Sequence, residues 1–131
     1  MKAQDLRIGN IVSCKAYLSE PTKVVEIMHS GDERGNYLRL EGVPHGVWME
    51  NKGELIVEGV PLTEDVLVKL GFESNPYQDR YENKSIHIEC NKLRGKTELW
   101  VEKMPHIKHV HQIQNLYHAL TGEELTLKQA P

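Results

Sequence analysis

Histidine is the residue type in this chain best suited to chemistry, and His106, His109, His111 and His118 crowd into one short stretch. Neutral imidazole ligates zinc, and it accepts or donates a proton near physiological pH. A helical zinc pair needs i and i+4 spacing so that both rings reach one ion. His111 and His118 are seven positions apart, about 10.5 Å along a helix rising 1.5 Å per residue, too far for a single ion. No cysteine or carboxylate stands at a helpful spacing, so neither a metal site nor a cofactor is expected. Covalent catalysis finds no better footing. A GxSxG elbow, a glycine-rich phosphate loop and a CxxC pair are all missing from the sequence. Cys90 follows His87 and Glu89, but strand alternation puts it with Ile86 and Ile88 on the opposite face. Cys14 and Cys90, the only cysteines, read as small apolar fillers rather than a disulfide. The residues favour a non-catalytic protein, while a site assembled from distant positions stays open.

Recognition chemistry is better represented. His111, Gln114, Asn115 and His118 fall on one side of a C-terminal helix, and the remaining outward position, Gln112, is another uncharged amide. Solvated helix faces usually carry Lys and Glu. Imidazoles and amides instead make directional hydrogen bonds, so this face either binds a partner or bonds internal backbone groups. A second candidate is the hairpin with Lys92, Arg94 and Lys96. Residues 84–111 hold six Lys+Arg against three Asp+Glu, whereas 1–83 hold nine against fourteen. With Trp48, Tyr77, Tyr81 and Trp100, the basic hairpin has the ingredients of a single-strand nucleic-acid binder. These aromatics are not interleaved with Lys or Arg, and the net charge of −3 argues against a protein whose whole surface binds nucleic acid.

The elements that must position these residues are legible from patterning. Ile11 to Ala16, Thr22 to His29, Asn36 to Glu41 and Glu54 to Val60 read as strands separated by turn chemistry, forming an SH3-like barrel or curled antiparallel sheet. In the second of them, alternation groups Val25 with Ile27 and Val24 with Glu26. Thr63 as N-cap, Glu64 and Asp65 in the first turn, and Gly71 at the end mark a short helix. Tyr77 to Glu82, Ser85 to Cys90 and Thr97 to Met104 predict a three-stranded meander. The spacing then predicts a helix from Val110 to Thr121, closed by Gly122, with Val110, Ile113, Leu116, Tyr117 and Leu120 as its core stripe. Leu125 to Leu127 either adds an edge strand or frays. Glu41 to Pro44 and Glu58 to Pro61 repeat Glu-Gly-Val-Pro, two similar strand exits rather than a repeat architecture.

Length and composition frame this reading. A chain of 131 residues with 39% hydrophobic and 27% charged residues predicts one α+β domain over 1–131, with a mostly β subregion over 1–60 and a helix, meander and helix over 61–131. No apolar run is long enough to span a bilayer, and Met1 to Asn10 does not read as a leader, so a cytoplasmic protein is expected.

Three segments resemble a known group. Leu6 to Asn10, Pro61 to Phe72, and above all Val110-His111-Gln112-Ile113-Gln114-Asn115-Leu116-Tyr117 through Leu125 are similar to a family of small uncharacterised proteins of gut Bacteroidetes and of their phages and prophages. The resemblance spans nearly the whole chain and implies a mobile-element setting, with no activity to carry over. The expected function is a non-catalytic binding or adaptor module for a protein partner. Its surface would be the polar face of the C-terminal helix with the basic hairpin. Nucleic-acid binding through that hairpin is the alternative, and a small enzyme the third reading.

Overall fold

The computed structural model describes residues 5–29, 36–51, 54–75, 77, 79–84, 86–93, 96–104 and 106–127. The chain forms two compact units, Met1–Val60 and Pro61–Pro131. Their boundary falls where the sequence turns from short strands to helix-bearing segments.

The first unit is built from strands β1 (Ile11–Ser13), β2 (Thr22–His29), β3 (Asn36–Leu40), β4 (Val47–Trp48), β5 (Glu50–Asn51), β6 (Glu54–Leu55) and β7 (Glu58–Gly59). Five of them make an antiparallel sheet in the order β4-β3-β2-β1-β7, while β5 and β6 pair separately. The sheet is open, so of the two forms expected the curled antiparallel sheet is found and not a closed barrel. Leu6, Val12, Cys14, Val24, Leu38, Leu40 and Val47 are among its buried residues. Cys14 is a core filler, as its neighbours dictate, and burial pushes its thiol pKa up. The alternation expected in β2 does not hold. Its register against β3 shifts between Val24 and Glu26, which leaves Val25 exposed and turns both Val24 and Ile27 toward the core. One extra residue in a bulge reverses the parity of everything after it.

The second unit contains α1 (Glu64–Lys69), β8 (Glu73–Asn75), β9 (Arg80–Asn83), β10 (Ile86–Leu93), β11 (Lys96–Val101) and α2 (Val110–Thr121). Its sheet runs β11-β10-β9-β8, a meander of four strands rather than three. The added strand, Glu-Ser-Asn, carries no β-branched or aromatic residue, so nothing in its composition announces it. Helix α1 forms where the capping residues place it. Thr63 Oγ1 accepts from the Val66 amide at 3.2 Å, an arrangement worth about 1 kcal/mol. At the other end Gly71 takes φ +90°, and the amides of Gly71 and Phe72 return to the carbonyls of Val68 and Leu67. This Schellman closure delivers Phe72 into the core beside Leu67 and Leu70.

Both helices begin at one short ladder. Pro61 and His109 form a bridge, and the Leu62 amide donates to the Lys108 carbonyl at 3.0 Å. Helix α2 spans the residues its periodicity predicts, and it ends at Gly122. Past it, Leu125 is buried without forming a strand. On the solvent side, Lys84 Nζ meets Glu123 Oε2 at 2.5 Å and lies 5.5 Å from the centre of the Tyr117 ring. The bond to Glu123 raises the Lys84 pKa, and Lys84 lowers that of Glu123. No described helix is long and apolar enough to cross a membrane.

Candidate binding surface

The helix face expected to be outward is divided between interior and surface. His111 and Gln114 are buried, Asn115 is half-buried, and His118 is exposed. Conversely, Leu120, expected in the core stripe, is 56% exposed, and Leu116 is only half-buried. The helix is therefore rotated from its apolar moment so that an amide and an imidazole enter the core beside Val110, Ile113 and Tyr117. Hydrogen bonding explains the rotation for the glutamines. Gln114 Nε2 donates to the Leu125 carbonyl at 2.8 Å, anchoring the tail. Gln112 Oε1 accepts from the amides of Lys108 and His109 at 2.7 and 3.0 Å, satisfying donors at the helix start. The rings of His109 and His111 stack with centres 5.7 Å apart. His111, Gln114, Asn115 and His118 thus do not share one accessible face. Among the described residues no group of three or more histidine, cysteine or carboxylate side chains could hold a metal ion.

The basic hairpin is described only in part. Lys92 lies in β10 and Lys96 in β11, while Arg94 falls outside the described residues.

A different surface emerges from the sheet itself. Directly paired residues share a face, and the register aligns Glu73 with Glu82, Asn75 with Arg80, Glu82 with His87, Arg80 with Glu89, Glu89 with Trp100, and Asn91 with Glu98. The opposite face holds Tyr81, Ile88, Cys90, Leu99 and Val101 and is the one the helices use, since Tyr81 reaches α1 and the buried Ile86 and Val101 border Leu116 and Leu120 of α2. The outward face is rich in carboxylates. Arg80 Nε contacts Glu82 Oε1 at 2.5 Å and holds the Glu82 carboxyl below the usual range, and His87 Nδ1 lies 3.3 Å from Glu102 Oε2. Trp100 stays 39% exposed, its indole N–H donating to Glu98 at 3.3 Å and its ring lying 4.3 Å from Lys108 Nζ. That ammonium over the indole is a cation–π contact.

At the end of β11 two hollows adjoin. One, about 390 Å³, is bordered by Glu89, Asn91 and Trp100; the other, about 200 Å³, by Ile86, Met104, Leu116 and Leu120; Val101, Glu102 and Lys103 line both. The strand can end here because Lys103 adopts φ +65° and the Met104 amide turns back to the Val101 carbonyl at 2.9 Å. The result is a groove that turns around the end of β11, with a polar aromatic half on the outward face and an apolar half between the sheet and α2. The exposure of Leu120 runs against its place in the expected core stripe, because a helical wheel assigns leucine to the core whatever its neighbours do.

Around Cys90 the expected parity holds, with the thiol turned away from His87. Its surroundings are nevertheless polar. Cys90 Sγ and Tyr81 Oη both donate to Glu64 Oε1, at 3.4 and 3.1 Å. Burial first, and then the Glu64 carboxylate, push the Tyr81 phenol pKa up. Neither hollow includes Glu64, Tyr81 or Cys90 in its lining, so the trio ties α1 to the sheet rather than addressing a bound molecule. Both cysteines are free thiols.

No protein-family model matches the chain, and no curated protein or solved structure matches it either.

Proposed function

We propose that this chain is a non-catalytic binding module of the cytoplasm whose partner is a protein, and that it binds through the outward face of the four-stranded sheet and the groove at the end of β11. The observation that carries this reading is the groove's composition. An exposed indole and an exposed leucine border two adjoining hollows with polar side chains between them, and exposed tryptophan is among the side chains that supply most of the energy of a protein interface. The carboxylates on the sheet favour a protein partner over nucleic acid, since a phosphate backbone approaching Glu89, Glu98 and Glu102 would meet like charge. Catalysis is disfavoured because no nucleophile paired with a base lines either hollow.

Site-specific photocrosslinking in the host cell tests the reading. A benzoylphenylalanine at position 100 should trap one discrete protein adduct, and the same residue at position 25, exposed in the first unit, should not. Equal labelling from both positions, or no adduct at position 100, would overturn it.

A further inference from the structure

The two halves of the groove differ in the chemistry they can receive, and they meet at the end of β11. Glu73, Glu89 and Glu98 lie on or beside the sheet face without an ion pair among the described residues, whereas Glu82 and Glu102 are engaged by Arg80 and His87. The chain itself shows what this surface accepts, because the Lys108 ammonium rests 4.3 Å from the Trp100 ring centre. Across the shared lip of Val101, Glu102 and Lys103, the second half is walled by Leu116 and by Leu120, which is 56% exposed, around about 200 Å³ of space. Burying an aliphatic side chain there would also remove the exposed leucine from water.

Resting on the binding-module reading, we infer that the partner segment carries a basic residue close to a large aliphatic one. The cation lies against Glu89 and the Trp100 indole, and the aliphatic chain fills the hollow beneath Leu120. Charge complementarity selects the first position and shape the second.

Amide NMR of the full chain, titrated with the peptide acetyl-Arg-Gly-Leu-amide, tests this. The expected result is saturable shifts of the Trp100 indole N–H and of the Leu116 and Leu120 amides. Acetyl-Glu-Gly-Leu-amide should bind at least about fivefold more weakly, the factor that about 1 kcal/mol of solvent-exposed charge attraction produces. Acetyl-Arg-Gly-Ala-amide should be about tenfold weaker, from the lost apolar contact. Glu89→Gln should erase most of the Arg over Glu preference, and Leu120→Gln most of the Leu over Ala preference; both sites are exposed, so the fold should survive. Equal shifts from the Arg and Glu peptides, no saturable shifts at all, or tighter binding of a thymidine oligonucleotide would each overturn the inference. If position 100 still traps a protein adduct while the Arg peptide shows no preference, the partner chemistry falls and the binding-module reading stands.

Discussion

Gln114→Leu is the substitution that most directly tests how α2 is seated. The wild-type amide is fully buried and donates to the Leu125 carbonyl at 2.8 Å. Leucine has similar bulk but no donor. If the tail stays docked, a buried carbonyl loses its partner, which costs about 1–3 kcal/mol. If instead the tail lifts away so that water reaches the carbonyl, the chain forfeits the burial of the Leu125 side chain, worth about 1.5–3 kcal/mol. Both routes lead to a loss of about 1–3 kcal/mol, and the docking energy of the tail sets its ceiling. Leu125→Ala should cost about 2–3 kcal/mol by the lower part of the core-truncation range. Because each change loosens the same segment, the double variant should lose less than the sum of the two by about 0.5 kcal/mol or more. Urea unfolding followed by tryptophan fluorescence measures this, in a Trp48→Phe background so that only Trp100 of the second unit reports. A loss below about 0.5 kcal/mol for Gln114→Leu, the level of an ordinary surface change, would refute the reasoning. Strict additivity of the pair would refute it equally.

The two histidines of the same helix should separate sharply. His111→Ala, at a buried position, should cost about 2–3 kcal/mol, whereas His118→Ala, at an exposed one, should stay within about 0.5 kcal/mol by the same urea assay. In the first unit, a Cβ at Gly46 would lie 1.9 Å from the Tyr37 ring. Gly46→Ala should therefore force that ring out of its contact with Trp48, 5.0 Å away between centres, and cost about 1–3 kcal/mol by Trp48 fluorescence in a Trp100→Phe background. The raised Tyr81 pKa predicts that one phenol ionises after the others in an absorbance titration at 295 nm, and that Tyr81→Phe removes this late step. With the folded pKa above the unfolded one, the Tyr81 contribution to stability is complete below about pH 10 and is lost as the pH rises further. A late step that persists in Tyr81→Phe would refute this assignment.

Much of the fold was legible because its signals are local. Thr63, the two acids after it and Gly71 define α1 by capping chemistry alone, and the apolar spacing of α2 sets its length to the residue. The misses have physical causes of another kind. Strand β8 has no composition of its own and exists because β9 offers it a partner. The bulge after Val24 reverses facing through one unpaired residue, which no alternation pattern reveals. Most consequential was the face of α2. A helical wheel ranks side chains by hydrophobicity, yet Gln114 goes inward because a carbonyl eleven residues later needs its donor, and Leu120 is left outside as a result. Sequence could have pointed to the groove through Trp100 set between glutamates; it could not show that Leu116 and Leu120 line the adjoining hollow, since that depends on the helix rotation.

The ladder joining Pro61 to His109 also orders events in time. Strands β8 to β11 follow one another closely in sequence, whereas this tie closes a loop of 48 residues, 109 minus 61. Relative to a six-residue turn that closure costs only about 1.8 kcal/mol more, three doublings of length at about 0.6 each, but it must wait until the later strand-like segment has been synthesised. In a growing chain the strand segments, carboxylates and indole included, are synthesised before the helix bearing Leu116 and Leu120, so the inner face of the sheet stays uncovered until α2 emerges. The apolar half of the groove is thus the last to appear.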